Sequence, residues 1–320
     1  MSNTIVALGG TGFIRSTDNA VSWSSGSFPS GFSAAAIAWN GTVFCVAPGT
    51  GASTVTSPDG LTWTVHSGVL PHTGEWACIA WNGSVFCAIR RFAYSNQCAT
   101  SPDGITWTQH EIGVDGNQYS RIIWNGHVFC ALDQSVVATS ADGIAWTEVY
   151  LPDTGGSPAT DIASLANGTM CIVCGAIYPT DFSNKYSLAS TDNGATWTLG
   201  TSTIGIGVNN YIASNGTKFV TVGYYDQCHT STDGLNWTSH TIGSYQAMSC
   251  IAWNGSVFYV QATNSGPGGN SSPDGETWTY DGWSSGTFSY IGVAFDPFSA
   301  PALPATGFWT NLVESTQTYA

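Results

Sequence analysis

Charged side chains are scarce in this sequence of 320 residues, in which Asp, Glu, Lys and Arg together make up 8%, against about 25% in a typical soluble domain. Cations are the scarcest, since 6 Lys and Arg face 20 Asp and Glu and leave a formal net charge of −14. Proteins that bind nucleic acids or anionic membranes use clustered cations to contact phosphate groups. The composition therefore argues against nucleic acid and against a membrane surface as partners.

Long apolar runs are absent as well. No run in the sequence approaches the ~18 consecutive apolar residues of a membrane-spanning helix. The segment from Met1 to Val6 has neither the basic residues nor the apolar stretch of a secretory signal peptide. We therefore expect the protein to be synthesised in the cytoplasm, and we expect no insertion into a membrane. The apolar fraction of 42% is still sufficient for a large hydrophobic core, so we do not expect a disordered chain.

The nine cysteines are an odd number in a long chain, unlike the even sets of small disulfide-rich secreted domains. Cys45, Cys87 and Cys130 each follow a Val-Phe pair, and a cysteine that recurs at one position of a repeat is interpreted as a small buried hydrophobe. Cys171 and Cys174 form a lone Cys-x-x-Cys pair, whereas zinc sites of this type need further ligands. We therefore expect free thiols, no metal and no cofactor.

One unit recurs seven times along the chain. It consists of a serine, an aspartate two residues later, and a tryptophan four or five residues after the aspartate. The recurring aspartates are 39 to 50 residues apart and are Asp18, Asp59, Asp103, Asp142, Asp192, Asp233 and Asp274. Repeats of about 40–45 residues are typical of β-propellers, whose blades are four-stranded sheets. The count therefore predicts seven blades.

A second unit, an Asn-Gly pair between apolar runs, alternates with the first. Its four clearest copies directly follow the tryptophans Trp39, Trp81, Trp124 and Trp253. Asn-Gly in this setting is a strong hairpin signal because both residues accept positive φ. Each repeat is therefore predicted to have four strands: strand a ends at Trp-Asn, strand b is the Val-Phe-Cys run, strand c leads into Ser-x-Asp, and strand d begins at Thr-Trp-Thr. No helical periodicity competes, so the predicted fold class is all-β, a seven-bladed β-propeller of four-stranded antiparallel blades.

The two ends of the chain are predicted to share the seventh blade. Residues 4–24 supply strands b, c and d, and residues 287–296 supply strand a, because the C-terminal run follows the last repeated aspartate at the separation that places strand a elsewhere. Pairing the ends removes exposed sheet edges that invite aggregation. The propeller is predicted to span residues 1–297, and residues 298–320 form a tail that is either an extra strand or a docking segment.

The seven aspartates are interpreted as structural residues. The carboxylate of a turn aspartate accepts hydrogen bonds from the N–H groups just ahead of it, and the glycine that usually follows adopts positive φ without steric cost. The tryptophan then buries a large apolar surface between neighbouring blades. These aspartates are therefore not expected to act as calcium ligands.

This unit resembles the Asp-box, or bacterial neuraminidase repeat, over nearly the whole chain. The paired Trp-Asn-Gly-x-Val-Phe and Ser-Pro-Asp-Gly-x-Thr-Trp-Thr segments are similar in particular to the repetitive propellers of bacteriophage structural and tail proteins. The resemblance implies a virion or tail-fibre component, with other virion proteins or a host surface polysaccharide as partners. It is weak evidence for function, because Asp-boxes occur in sialidases, other glycosidases, lectins, receptors and virion proteins alike.

The predicted connectivity separates two faces of the propeller. The a–b and c–d turns lie on one, the short-turn face, and the longer b–c and d–a loops lie on the other, the variable-loop face, where function is expected. Aromatic rings mixed with Asp, Asn and Arg suit sugar binding, although the same aromatic residues would also cover blade edges or contact a protein. The ligand-binding candidates are Glu75, Trp76, Arg90, Arg91, Tyr94, Tyr119, Arg121, Asp161, Asp181, Tyr186, Tyr211, Tyr225, Asp226, Tyr245 and Trp283.

The sequence gives little support for catalysis. Resemblance to sialidases would require an arginine triad, an acid/base aspartate and a Tyr–Glu pair, whereas this chain has only four arginines, of which Arg90 and Arg91 are adjacent. Another glycosidase would need two carboxylates about 5–9.5 Å apart; Asp161 with Glu75 or Asp181 is a candidate pair that no spacing selects. The histidines His66, His110 and His240 recur at equivalent places, which argues for a structural role.

The sequence thus predicts a non-enzymatic virion propeller, an adhesin that binds a host glycan or a neighbouring virion protein through the variable-loop face. Three alternatives remain open. One is a purely structural or decoration protein of the particle, the second is a glycosidase of the Asp-box type, and the third is an intracellular bacterial scaffold.

Overall fold

The computed structural model describes residues 4–18, 22–91, 96–114, 116–175, 186–200, 204, 211–223, 227–243, 248–262, 269–280 and 293–295. All regular structure in these residues is β-strand, and the strands form seven four-stranded antiparallel sheets arranged as blades in a ring. The predicted seven-bladed β-propeller is confirmed. Among these residues there is no helix that could span a membrane.

Four strands form each blade and are named in the order a, b, c, d. The closing blade contains β28 (Val293–Phe295), β1 (Ile5–Gly9), β2 (Gly12–Ser16) and β3 (Ser24–Ser27). Blades 1 to 3 contain β4 (Ala34–Trp39), β5 (Phe44–Pro48), β6 (Thr54–Ser57), β7 (Thr64–His66); β8 (Trp76–Trp81), β9 (Phe86–Arg90), β10 (Gln97–Ser101), β11 (Thr108–Glu111); and β12 (Arg121–Trp124), β13 (Phe129–Leu132), β14 (Val136–Ser140), β15 (Thr147–Tyr150). Blades 4 to 6 contain β16 (Ala159–Ser164), β17 (Met170–Cys174), β18 (Ser187–Ser190), β19 (Thr198–Leu199); β20 (Tyr211–Ser214), β21 (Phe219–Val222), β22 (Gln227–Ser231), β23 (Thr238–Thr241); and β24 (Met248–Trp253), β25 (Phe258–Ala262), β26 (Gly269–Ser272), β27 (Thr279–Tyr280).

Strand a is the innermost strand of each blade. Strands β4, β8, β12, β16, β20 and β24 contact one another in succession, whereas the d strands lie at the far edge of each sheet. The core lies between the blades. For example, Ala36 and Cys45 of blade 1 pack with Trp76 and Phe86 of blade 2. Burial on both faces explains why strands a and b are nearly continuous apolar runs.

The closing blade joins the two ends of the chain, as predicted. β28 pairs with β1 in antiparallel register, with Val6 opposite Ala294 and Ala7 opposite Val293. β28 also contacts β4 of blade 1. The predicted start of this strand and the tail at residues 298–320 lie outside the described residues.

The c–d turns, which we call Asp turns, share one hydrogen-bond pattern. In blade 2 the Ser101 hydroxyl donates to Asp103 Oδ1 (3.0 Å) and accepts the N–H of Gly104 (2.8 Å). The same Asp103 oxygen accepts the N–H groups of Ile105 and Thr106, each at 2.8 Å. The turns at Asp18 and Asp192 are one residue longer, and their carboxylates instead accept the N–H four residues ahead.

Asp turns also pack against the preceding blade. The carbonyl of Gly104 in blade 2 accepts a hydrogen bond from the Thr54 hydroxyl of blade 1 (2.8 Å). The thiol of Cys98 donates in the same way to the Gly143 carbonyl of blade 3 (3.6 Å). All nine cysteines lie in the described residues, are buried and form no disulfide. They are therefore the small core residues that the repeat predicts.

Candidate functional site

The two faces of the ring differ in regularity. Because antiparallel strands alternate in direction, the a–b turns and the Asp turns share one face, and the b–c and d–a loops share the other. On the short-turn face one a–b hydrogen bond repeats, from the Asn N–H to the Val carbonyl three residues later: Asn40 to Val43, Asn82 to Val85, Asn125 to Val128 and Asn254 to Val257. The loops of the variable-loop face share no such repeated hydrogen bond, so a specific site is expected on that face.

The fifteen candidate residues fall into three groups. The buried ones are Trp76, Tyr119, Arg121, Asp161 and Tyr211. The half-buried ones are Glu75, Arg90, Arg91 and Tyr186. The others lie outside the described residues and are Tyr94, Asp181, Tyr225, Asp226, Tyr245 and Trp283.

The buried aromatic candidates belong to the core. Trp76 is fully buried between blades 1 and 2, and its indole N–H donates to the carbonyl of His72 (3.3 Å). Tyr119 and Tyr211 are buried in the clusters of blades 2–3 and 5–6. Sugar stacking requires an exposed ring face, so these three side chains do not provide one in this structure.

Tyr119 anchors a loop through a glutamate that the sequence did not single out. Glu148, on strand d of blade 3, accepts hydrogen bonds at Oε1 from the Tyr119 hydroxyl (2.5 Å), the Asn117 amide (2.7 Å) and the Val114 N–H (3.0 Å). Burial and then the neighbouring carboxylate raise the pKa of Tyr119 well above its usual value, so the phenol stays protonated and donates. Glu148 thereby fixes the loop from strand d of blade 2 to strand a of blade 3.

Arg121 and Asp161 form a buried ion pair that connects three inner strands. Arg121 Nε lies 3.2 Å from Asp161 Oδ1, which also accepts the Ile162 N–H, and Oδ2 accepts the N–H of Ile212 (3.1 Å). These residues belong to strands a of blades 3, 4 and 5. Burial raises the pKa of Asp161 to about 6, although the Arg121 charge and the two N–H groups oppose the shift.

Glu75, Arg90 and Arg91 are brought together at blade 2. Arg91 Nη1 lies 3.6 Å from Glu75 Oε1, and the Arg91 N–H donates to the Glu75 carbonyl (3.2 Å). Arg90 donates to the Gln97 side chain (2.5 Å) and to the Thr73 carbonyl (3.0 Å). The cluster ties a d–a loop to a b–c loop and remains partly accessible to a partner.

Arg15 and the three repeated histidines have structural partners. Arg15 donates to the main-chain carbonyl of Asp59 on the short-turn face (2.7 Å), whereas the other three arginines belong to the opposite face. The repeated histidines each lie within 2.9 Å of a threonine hydroxyl on strand c: His66 with Thr56, His110 with Thr100, and His240 with Thr230. Within the described part of the chain, no three His, Cys, Asp or Glu residues are placed to hold a metal ion.

A cavity of about 270 Å³ opens on the variable-loop face between blades 3 and 4. It is lined by Gln134 and Ser135 and by the d–a loop at residues 151–158. Backbone hydrogen bonds hold both ends of this loop, since the Leu151 N–H donates to the Ser135 carbonyl and the Ala159 N–H donates to the Gln134 carbonyl, each at 2.9 Å. The walls are therefore fixed main chain. Sequence reasoning missed the cavity, because it forms where the b–c loop of blade 3 meets the loop that connects blades 3 and 4.

Two exposed apolar side chains lie close to strand d of blade 3 on this face. Tyr150 is 74% exposed and directly precedes loop 151–158, while Val114 is 55% exposed and is held by its N–H to Glu148. Glu148 and Tyr150 are two residues apart on β15, so they project to the same side of the strand. We call Val114, Tyr150 and loop 151–158 the blade 3 rim.

No family model and no curated protein sequence matches the chain. Solved structures match its fold. Virginiamycin B lyase from Staphylococcus aureus aligns with a TM-score of 0.65 at 12% identity, over 88% of this chain and 95% of that one. YCF48 bound to D1 peptide aligns with a TM-score of 0.59 at 14% identity, over 88% and 86%. The Cps50 (Swd1) β-propeller domain of Myceliophteria thermophila gives 0.56 at 11%, over 88% and 98%. At such identities the likeness shows the fold alone.

Proposed function

We propose that this protein is a non-enzymatic binding propeller that holds a segment of a partner protein at the blade 3 rim. The carrying observation is that Tyr150 and Val114 are exposed at strand d of blade 3, and that loop 151–158, which directly follows Tyr150, lines a cavity. Such a combination of a shaped recess and an exposed aromatic anchor is what protein contacts use. A likeness to YCF48, whose structure holds D1 peptide, supports peptide binding on this fold.

A protein partner is favoured over a glycan because of where the aromatic candidates lie. Trp76, Tyr119 and Tyr211 are buried, so the described rings available on this face are few. Tyr150 is the last residue of β15 and directly precedes loop 151–158, so a partner segment that packs on Tyr150 can reach the cavity across this loop.

The setting of this binding is a finer proposal that rests on the Asp-box resemblance. Under this finer proposal the chain is a tail or virion protein of a bacteriophage and is located in the particle. The partner is then a neighbouring virion protein. A host surface polysaccharide is the second candidate ligand, for which the half-buried Glu75–Arg91 pair would supply planar hydrogen-bonding groups.

The rim proposal is tested with peptides selected from a random displayed library on the purified protein. Their affinities are then measured for the parent chain, for Val114→Ser with Tyr150→Ser, and for Tyr280→Ser. Tyr280 is 62% exposed on strand d of blade 6 and is the matched control. We expect the rim variant to weaken binding at least about tenfold, or about 1.4 kcal/mol, and the control to bind like the parent.

Equal binding by the rim variant would overturn the proposal. Binding to a host polysaccharide array that Glu75→Gln weakens would replace the protein partner with a glycan. Release of reducing ends from that polysaccharide would show that the chain is an enzyme, contrary to the proposal.

A further inference from the structure

Three exposed aliphatic side chains occupy one position of the Asp turn in three adjacent blades. Leu61, Ile105 and Ile144 each lie two residues after the turn aspartate and are 50%, 41% and 53% exposed. They are on the short-turn face, opposite the blade 3 rim. We call these three residues the aliphatic arc. A single exposed leucine needs no explanation, but the same exposed position in blades 1, 2 and 3 is a pattern.

The turn itself does not require an aliphatic residue at this position. The N–H of each arc residue donates to the turn aspartate at 2.8 Å. In blade 6 the equivalent residue is Glu276, whose N–H donates to Asp274 at the same distance. The backbone geometry is therefore independent of the side chain, and the fold does not explain why an aliphatic side chain is exposed here.

The surroundings of the arc are acidic. Every Asp turn places a carboxylate on this face, and at Asp142 the N–H groups of Ile144 and Ala145 lower its pKa, so it is ionised at neutral pH. The described cations of this face are already engaged. Arg15 donates to the Asp59 carbonyl, and Lys218 contacts Glu276 and the Asp274 carbonyl (3.3 Å).

Charge then decides which partner fits. A second copy of this chain would bring an equally acidic surface, since the net charge is −14, and nucleic acid would bring phosphates. Like charges placed opposite one another disfavour both. A cationic protein segment with apolar side chains is complementary, because its cations would face the turn aspartates while its apolar groups cover the arc.

We propose that the short-turn face of blades 1 to 3 docks a cationic, partly apolar segment of a partner protein through Leu61, Ile105 and Ile144. This surface is separate from the blade 3 rim, so the propeller has two binding faces and connects two partners.

The probe is an amphipathic helical peptide of about 18 residues with leucine on one side and lysine on the other, compared with its leucine–glutamate counterpart. Affinity is measured for the parent chain, for the triple variant Leu61→Ser, Ile105→Ser, Ile144→Ser, and for Leu235→Ser. The triple variant leaves the charge unchanged, and Leu235 occupies the equivalent, half-buried position in blade 5. Hydrogen exchange with and without the lysine peptide locates the contact.

We expect the triple variant to bind the lysine peptide at least about tenfold more weakly, with Leu235→Ser unchanged and no binding of the glutamate peptide. Exchange protection should appear at residues 58–64, 102–108 and 141–147. Equal affinity of the triple variant would overturn the proposal, because the peptide would then bind through charge alone. No binding of the lysine peptide by the parent chain would overturn it as well. Self-association lost in the triple variant would also overturn it and identify a second copy as occupant. If the triple variant does not fold, Ile105→Glu takes its place, because blade 6 has a glutamate, Glu276, at the equivalent position. Its readout is exchange protection at residues 102–108 in the presence of the lysine peptide. Protection that persists in this variant overturns the proposal.

Discussion

The glycine that follows a turn aspartate has less freedom to vary than any other residue of the Asp turn. Gly104 has φ of +77°, and a Cβ added there would lie 2.9 Å from Cys45 Sγ and 3.2 Å from Thr56 Cγ2 of the preceding blade. Two independent causes therefore select glycine: the left-handed backbone and the close approach between blades. The Asn-Gly glycine Gly83 shares only the first cause, since its φ is +96° but nothing lies within 4 Å of an added Cβ.

The pair of glycines gives a prediction with its own control. Gly104→Ala is expected to be more destabilising than Gly83→Ala by about 1–3 kcal/mol, because overpacking adds to the backbone strain that both share. Urea unfolding followed by tryptophan fluorescence measures the difference. Equal losses in the two variants would mean that the neighbouring blade moves aside at no cost.

The turn aspartates make stability depend on pH. The N–H groups of Ile144 and then Ala145 lower the pKa of Asp142 below its usual value of about 3.9. A lowered pKa in the folded state means that the stabilisation is present above about pH 4 and is lost as the pH falls through the folded-state pKa.

Asp142→Asn tests this dependence. The variant should be less stable than the parent at pH 7 by about 1 kcal/mol, because hydrogen bonds to a charged acceptor contribute more than hydrogen bonds to a neutral amide oxygen. The gap should shrink as the pH of the measurement is lowered through the folded-state pKa, because the parent carboxylate then becomes neutral like the amide. A gap that does not change with pH would show that the hydrogen bonds to Asp142 do not depend on its charge.

At the scale of the element, a blade is held by its neighbours as much as by its own strands. Asp161 shows this most directly, because its carboxylate receives Arg121 from strand a of blade 3 and the Ile212 N–H from strand a of blade 5. Removing one partner of a buried ion pair leaves an uncompensated charge, which costs about 3–5 kcal/mol. Removing both charges avoids that penalty.

We therefore expect Arg121→Met to be less stable at pH 7 than the double variant Arg121→Met, Asp161→Asn. Burial raises the pKa of Asp161 to about 6 even beside Arg121, and without the arginine it rises further. The neutral form stabilises the fold fully below about pH 3.9, the usual unfolded value, and this contribution is lost as the pH rises through the folded-state pKa. The two variants should therefore converge near pH 4. Equal urea midpoints at both pH values would show that Asp161 is not a buried charge at neutral pH.

The strands could be predicted from the sequence far better than the side chains that face a ligand. Asn-Gly pairs and Asp turns recur along the chain, and each turn is determined by a few residues that are adjacent in sequence. The hairpins and the number of blades therefore follow from these repeats. Trp76 shows why the candidate site did not follow: the register between β8 and β9 shifts between Trp76 and Cys78. A one-residue irregularity reverses which side of a strand a residue faces, and the sequence contains no separate sign of it.

At the scale of the whole molecule, the ring creates features that no single repeat contains. The cavity beside loop 151–158 is lined by residues of blade 3, by the loop that connects blades 3 and 4, and by Cys174 of blade 4. The aliphatic arc likewise arises only because three consecutive blades carry an exposed aliphatic residue at the same position of the same face. Repeat chemistry predicts the scaffold, whereas differences among repeats after assembly determine the surfaces.

The ring also depends on a single short strand for its completion. β28 supplies three residues that pair with β1, and this pairing joins the last described strand of the chain to the N-terminal strands of the closing blade. Without it, β1 and the inner strand of blade 1 would lose a neighbour, and an unpaired edge would be exposed to other chains. The contacts that β28 makes are also the most distant in sequence, so their loss removes the constraint that makes the blades unfold together.

Two truncations test this dependence. Deleting residues 287–320 should abolish the cooperative unfolding transition and cause aggregation, whereas deleting only residues 298–320 should leave the transition within a few degrees of the parent. Thermal unfolding followed by circular dichroism, together with size-exclusion chromatography, measures both. If the longer deletion melts like the parent, closure by β28 does not stabilise the ring. If the shorter deletion also fails to fold, the boundary of the propeller lies beyond residue 297 and the tail is part of the closing blade.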